Sequence, residues 1–596
     1  MWALNTPLSG RQMDKDLNVG MHLNNKMLVA SSAFKFLQGL QAALKLLSVL
    51  HLTKYEWPQD AVVTDGESFD FIIIGAGTAG SVIANRLTEI KDFNVLLIEA
   101  GGDPPLESDI PGLSFLMKRS RYDWNYTAEN DAYSDTCHLK PYFEFTLGKM
   151  LGGTSSLNYM VYHRGQPQDF NTWAEITKDD RWQWQNVLPY FLKSEKLKDP
   201  QLLHSPERDF YGTKGYVELV KDRRDSIQQI LDAYQELGHK IVQDFNEHHA
   251  LGYATQTVTI SGKSRHSSAH AFLSSVKNRK NLHVMKNTLV TKIVVEDKKA
   301  VGVEVKTEDG KTLHLNAKKE IIVSAGTFNT PKLLMLSGMG PAKHLKEKTI
   351  EVISDLPVGE NLQEHLGVIL IHTLEETPDF GASFTGFVAL NKTSNYPDYQ
   401  VISYLDNSKV LLLYCTFVFR LSDEICDTMF KSEDKKLQAF NQIINIHPES
   451  RGKVLLKTTD PFDAPLVYSG FFSNNNDLEN FIDYVQHFSA IMNTTYYKTV
   501  NAKMVDAYPK CNVFEAGSRE YWRCYVMCVS SGLSHFTGTC PMGKVLDGRL
   551  RVHGIKNLRV ADASVMPTST RGNPAASVIM IGEKAADMIK EDYKLI

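Results

Sequence analysis

The chain has 596 residues, 43% of them apolar and 22% charged, and its 65 Lys and Arg nearly balance 69 Asp and Glu for a net charge of −4. Such a balance excludes a nucleic-acid coat or a polybasic membrane binder, while the length allows several domain-sized pieces with substantial cores. With 38 Gly and 22 Pro the composition is neither collagenous nor low-complexity, and seven Cys without a CxxC pair argue against a disulfide scaffold or structural zinc, leaving at least one free thiol or an intermolecular bridge.

Residues 1–66 read as an extension or targeting segment. Leu37, Leu40, Leu44 and Leu47 recur at helical spacing, as in an amphipathic helix. An interrupted secretory signal is the other reading, so secretion and intracellular residence both stay open. Lys35 and Lys45 break the stretch into runs shorter than the roughly 20 residues of a membrane span. Three N-x-S/T sites, at Asn125, Asn391 and Asn493, are no more than chance supplies.

Phe69-Asp70-Phe71-Ile72-Ile73-Ile74 then reads as a strand buried on both faces. Gly75-Ala76-Gly77-Thr78-Ala79-Gly80 is a GxGxxG, followed by helical spacing at Val82, Ile83 and Leu87. Asn94–Ile98 is a second strand, ending at Glu99. The glycines permit a tight turn and close approach to a pyrophosphate, the helix start offers free N–H groups, and the acid suits ribose hydroxyls. This is a dinucleotide-binding arrangement, with NAD and FAD equally open.

Three clusters follow. Gly148–Asn158 carries paired glycines, three hydroxyls and an amide. Ile321–Gly340 reads as strand, turn and helix, with Pro331 in the first helical turn and a stop at Gly338. Arg559–Ser564 and Gly572–Ala576 lead into a final helix running through Ile589. Cys524 and Cys528 are one helical turn apart without a His or acid at ligand spacing, so no metal site is evident.

With these segments in hand the chain resembles the glucose–methanol–choline (GMC) family of flavin oxidoreductases, and its insect branch in particular. The likeness runs from about Phe69 to Ile589 and includes Val358–Gln363, His447–Gly452 and the stretch from His535 to Asp587. It implies FAD, and an α/β fold in which a Rossmann-like FAD-binding domain is interleaved with an α+β substrate-binding domain built on a large antiparallel sheet. The implied division is 67–365, mostly flavin-binding, then 366–530, mostly substrate-binding, then 531–596, a return to the flavin domain; the flavin part draws on roughly 67–155, 255–345 and 531–596.

Carried over by position, Gly75, Gly77, Gly80 and Glu99 hold the ADP half, with Val290 beside the adenine. Gly152, Gly153 and Asn158 lie along the pyrophosphate and flavin, and Asp562 and Ala563 contact the phosphate–ribityl region. Pro574 opens the helix whose start faces the flavin. The sequence departs from the family at Thr146-Leu147, where Pro-Arg is common, and at Glu364, where Asp is usual. Leu157 stands where some members attach FAD through a His, which implies a dissociable flavin.

The resemblance makes His535 and Asn573 the reacting pair. Imidazole suits removal of a hydroxyl proton because its pKa lies near working pH, and an amide can donate to the forming oxyanion. His553 reads as structural and Cys540 as packing. The branch contains ecdysteroid oxidases and glucose dehydrogenases. Phe384, Phe387, Tyr404 and the run 410–419 read mainly as sheet core; where they line a pocket they favour a large apolar alcohol over a sugar. The expectation is oxidation of an ecdysteroid 3-hydroxyl with oxygen as acceptor and hydrogen peroxide as product. The alternatives are a sugar dehydrogenase with another acceptor, a nicotinamide dehydrogenase, or flavin binding without turnover.

Overall fold

The computed structural model describes residues 56–131, 143–224, 227–245, 250–375, 381–407, 415, 419, 421, 423–506 except 431–436, and 508–595. The leucine pattern at 37–47 and most of the run 410–419 lie outside these. Among the described residues no helix is long and apolar enough to cross a membrane. Residues 56–104 and 108–596 pack as one compact unit.

In chain order the elements that build the site are β1 (Ser68–Ile74), α1 (Thr78–Leu87), β2 (Val95–Ile98), β3 (Gly252–Thr255), β4 (Leu282–Met285), β5 (Leu289–Glu296), β6 (Lys299–Lys306), β7 (Thr312–Val323) and α2 (Gly326–Leu336). They continue with β8 (Leu366–Leu374), β9 (Ala382–Val388), β10 (Tyr399–Asn407), β11 (Leu437–Asn445), α3 (Asn475–Ser489), β12 (Lys503–Met504), α4 (Arg519–Val529), β13 (Ser530–Gly532), β14 (Leu558–Val560) and α5 (Ala575–Asp592).

One sheet has the order β4-β2-β1-β7-β6-β5, with β14 added beside β7. β1, β2, β4, the end of β7 and β14 run parallel. Their apolar runs are buried on both faces, as helices on either side of a parallel sheet require. β7 is long because it serves twice: residues 312–316 form an antiparallel ladder with β6, and 320–323 join the parallel core. The second sheet is antiparallel throughout, in the order β12-β8-β11-β10-β9-β3, with β13 beside β8. Alternation along β10 sends Tyr399 onto Tyr484 of α3, and Gln400, Ile402 and Tyr404 to the opposite face.

The C-terminal segment closes both layers. Glu583 of α5, fully buried, accepts two bonds from Arg86 of α1, each at 2.7 Å. Pro331 lies well inside α2, beyond the first turn expected for it. Having no N–H, it leaves the Thr327 carbonyl without its usual helical donor. The Thr539 hydroxyl donates there at 2.6 Å, and the Thr327 hydroxyl donates back to the Phe536 carbonyl at 2.7 Å. The helix defect is thus where segment 536–539 is fastened.

Disulfides join Cys415 to Cys426 and Cys511 to Cys524, and Cys528 is also disulfide-bonded. The Cys524–Cys528 spacing therefore serves bridges. Cys540 is a free, buried thiol, in the packing place expected for it.

Thr539→Val should lower stability by about 1–3 kcal/mol, because it leaves the Thr327 carbonyl buried without a donor. Thermal unfolding of the flavin-loaded protein checks this, with Thr539→Ser remaining near the parent.

Candidate active site

Loops at the carboxyl ends of β1, β2, β7 and β14 converge on one cavity of about 2200 Å³, including its open mouth. That is where open parallel sheets bind ligands. Gly75, Gly77, Glu99, Gly153, Asn158, Val290, Asp562, Ala563, Asn573, Pro574 and His535 all border it. Gly80 and Gly152 stand behind the wall. A Cβ on Gly80 would lie 1.9 Å from the Gly75 carbonyl oxygen, so Gly80 lets α1 close on the turn. The Gly152 N–H donates to the Ala76 carbonyl at 2.7 Å. A Cβ on Gly153 would come within 2.8 Å of the Gly77 Cα, so the two glycine loops meet backbone to backbone.

This cradle fits a dinucleotide. A Cβ on Gly77 would meet nothing nearer than 3.9 Å, because that side of the turn faces the cavity. The first turn of α1 presents its amides there. Glu99 does more than border the cavity: Oε2 accepts the Ala76 N–H and Oε1 the Gly101 N–H, both at 2.9 Å. Burial pushes its carboxyl up to about 7, against the pull of those amides. Asp562 commits both oxygens to the chain, accepting from the Gly326 N–H at 2.9 Å, the Thr330 hydroxyl at 2.6 Å and the Ser564 N–H at 2.8 Å. It holds the start of α2 against β14. Asn158 Oδ1 accepts from buried Arg265 at 2.8 Å. The unusual Thr146-Leu147 is held by Asp123, whose Oδ1 accepts the Leu147 N–H at 3.0 Å.

At the other end the Asn573 Nδ2 and His535 Nε2 atoms are 3.0 Å apart. Asn573 immediately precedes Pro574, the N-cap of α5, so the positive end of that helix dipole adjoins the pair. His535 Nδ1 lies 3.1 Å from His365 Nδ1. Ser534, at φ 61°, turns the chain left-handed just before His535, a conformation a non-glycine residue adopts only when its surroundings impose it. Glu364 imposes it: its Oε1 accepts the Leu533 N–H at 3.0 Å and the His535 N–H at 2.9 Å. That is the consequence of the acid at 364. The family-like stretch around residues 358–363 was visible in the sequence, but nothing there indicated that His365 would meet His535 in space.

Burial dominates the electrostatics. His535 is held well below the ordinary imidazole value by burial, then by His365 and His163. Burial takes His365 down to about 3 and His163 to about 4, and raises Glu364 to about 8. The antiparallel sheet supplies the facing wall. Ile402 pairs with Gln442 and Tyr404 with Phe440 across β10 and β11, all four bordering the cavity. Phe419 stacks on Phe440 at 5.3 Å, and Leu533 completes an apolar surface. Phe384 and Phe387, by contrast, are buried in the core behind this wall and do not border the cavity.

The sequence matches the GMC oxidoreductase family over residues 69–367 and again over 448–582. The chain belongs to the GMC oxidoreductases. It is 39% identical to an ecdysone oxidase of Spodoptera littoralis, over 91% of this chain and 95% of that protein. It is 31% identical to a glucose dehydrogenase [FAD, quinone] of Drosophila pseudoobscura pseudoobscura, over 88% of this chain and 87% of the other. Among solved structures, Aspergillus oryzae RIB40 formate oxidase superposes with a TM-score of 0.77 at 27% identity, covering 89% of this chain and all of that one. This GMC oxidoreductase uses FAD to oxidise alcohols, on the two-sheet α/β architecture described above.

Glu364→Gln keeps one carbonyl acceptor for both loop amides and removes the buried titration. A carboxyl raised from the usual 4.5 to about 8 costs stability increasingly as pH rises through that interval. The variant should therefore gain thermal stability relative to the parent between pH 5 and pH 8, by up to about 1.4 kcal/mol per pH unit. Paired unfolding scans at several pH values test the sign.

Proposed function

We propose that this GMC oxidoreductase oxidises a bulky, largely apolar alcohol of the ecdysteroid class at its 3-hydroxyl, with oxygen as the electron acceptor. One observation carries the reading: the wall facing His535 and Asn573 is built from Ile402, Tyr404, Phe419, Phe440 and Leu533, with the Tyr404 hydroxyl and Gln442 as the polar groups among the sheet residues. A sugar would need partners for many hydroxyls, whereas a fused-ring alcohol is held by apolar contact and a few polar groups. The ecdysone oxidase relative agrees with it. The glucose dehydrogenase relative supports the second reading, a sugar dehydrogenase with a different acceptor.

FAD, when bound, supplies the hydride acceptor. His535 Nε2 takes the hydroxyl proton, and Asn573 Nδ2 donates to the same oxygen as charge develops on it. Their 3.0 Å separation lets one substrate oxygen meet both. Burial keeps the imidazole neutral and so able to accept a proton. Gly75, Gly77 and the start of α1 would hold the pyrophosphate, Glu99 the ribose, Val290 the adenine, and Gly153 and Asn158 the central stretch, with Ala563 and Pro574 on the flavin side. Leu157 at the attachment position supports a dissociable flavin. The same reading divides the chain into an extension (1–66), a mainly flavin-binding region (67–365), a mainly substrate-binding region (366–530) and the catalytic return (531–596). The disulfides support maturation in an oxidising compartment.

Anaerobic mixing with ecdysone, glucose and a simple alcohol tests the substrate. Ecdysone at micromolar levels should bleach the flavin, and admitted oxygen should restore the colour with release of hydrogen peroxide; rapid bleaching by glucose alone would favour the second reading. His535→Ala should keep its flavin yet slow reduction in stopped-flow by about 10²–10⁴. In the parent, any acid limb of that rate should fall below pH 6.5, since the His535 value is lowered and the neutral base persists on acidification.

A further inference from the structure

We propose that Gln400 is a positioning residue: it sets which way the Asn573 amide faces, and so which nitrogen of His535 is left to accept a proton. The inference rests on the reading of His535 as the proton acceptor. Gln400 does not border the cavity and is fully buried on β10, so any part it plays in the reaction passes through another side chain.

The direction of each hydrogen bond follows from one fixed end. The Val401 carbonyl can only accept. The hydroxyl of Thr385, on neighbouring β9, donates its single proton to it at 2.8 Å. The Thr385 oxygen then has only lone pairs for its other neighbour, 3.3 Å away, which must be a donor: Gln400 Nε2. The opposite amide orientation would set two oxygens against each other. The second N–H of Gln400 Nε2 is left for Asn573 Oδ1, at 3.3 Å. With Oδ1 so occupied, Asn573 turns Nδ2 toward His535 Nε2 at 3.0 Å, where it needs a lone pair. The His535 proton therefore sits on Nδ1, facing His365 Nδ1 at 3.1 Å, which accepts it.

The result is a polarised line from a sheet carbonyl to the reacting imidazole. Its first members are strand residues with no exposed surface, so the setting is rigid. Without Gln400, Asn573 could present Oδ1 to His535. That orientation favours a proton on Nε2, the nitrogen that must be free, and withdraws the donor from the alcohol oxygen. The step itself is unchanged: the O–H proton passes to Nε2, and FAD, when bound, would supply the acceptor for the carbinol hydride.

The test is a double-mutant cycle read as the anaerobic rate of flavin reduction at saturating alcohol, on flavin-loaded proteins. Gln400→Met keeps the shape and removes the donor; it should lower the rate about two- to tenfold, the equivalent of one neutral hydrogen bond. Thr385→Val frees the Gln400 amide to turn over and should act in the same direction. In an Asn573→Ala background neither change should lower the rate further. A role confined to packing β9 against β10 would cost the same in both backgrounds. Parental rates for Gln400→Met and Thr385→Val, or full additivity with Asn573→Ala, overturn the inference. If His535→Ala itself reduces at the parental rate, the proton-acceptor reading falls and takes this inference with it. If His535→Ala is slow and the Gln400 effects are absent, only the inference falls.

Discussion

Burial of the His535 imidazole without a countercharge is the constraint on which the rest of the site depends. Every titratable group packed near it is shifted toward its neutral form by the same desolvation: His365 and His163 down, Glu364 up. A carboxylate beside the imidazole would have raised its pKa and favoured the protonated ring. This site instead orients the ring with neutral hydrogen bonds, from the Asn573 amide on one side and toward His365 on the other. Buried polar groups of this kind are costly when unpartnered, and so hold their partners in place when satisfied.

That demand explains the architecture around the loop. Residues 533–539 are fastened on two sides, by Glu364 and the Gln363–Thr537 backbone pair on one and by the exchange with Thr327 on the other. Pro331 would ordinarily weaken a helix interior. Here the carbonyl it releases becomes the anchor for the segment that follows His535, and a local defect is turned into tertiary register.

The two sheets divide the work by their chemistry. The parallel sheet ends in loops whose backbone amides and glycines face the cavity, where close approach and positive dipole ends suit a dinucleotide. The antiparallel sheet offers alternating side chains, so one face of β10 and β11 borders the cavity with Ile402, Tyr404, Phe440 and Gln442 while the other buries itself against α3. The two meet at the His535–Asn573 pair, because both residues come from the C-terminal segment that returns to complete the first layer.

By itself the sequence determined the elements that rest on local patterns. The apolar run at 69–74, the glycine turn at 75–80 and the acid at 99 specify a strand, a turn and a second strand end because backbone freedom and burial on both faces are properties of short segments. His535 and Asn573 were singled out by the family resemblance of the C-terminal stretch, not by these local patterns. Pro331 was misplaced, because its position inside a helix is tolerated only by grace of Thr539, more than two hundred positions away. The contacts of His365 and Glu364 with the 533–535 loop, the docking of Gly153 on Gly77, and the division of the aromatic residues into wall (Tyr404, Phe419, Phe440) and core (Phe384, Phe387) were decided only by the tertiary structure. Each depends on which surfaces distant segments bring together, and on hydrogen bonds whose partners share no sequence neighbourhood; no local periodicity carries that information.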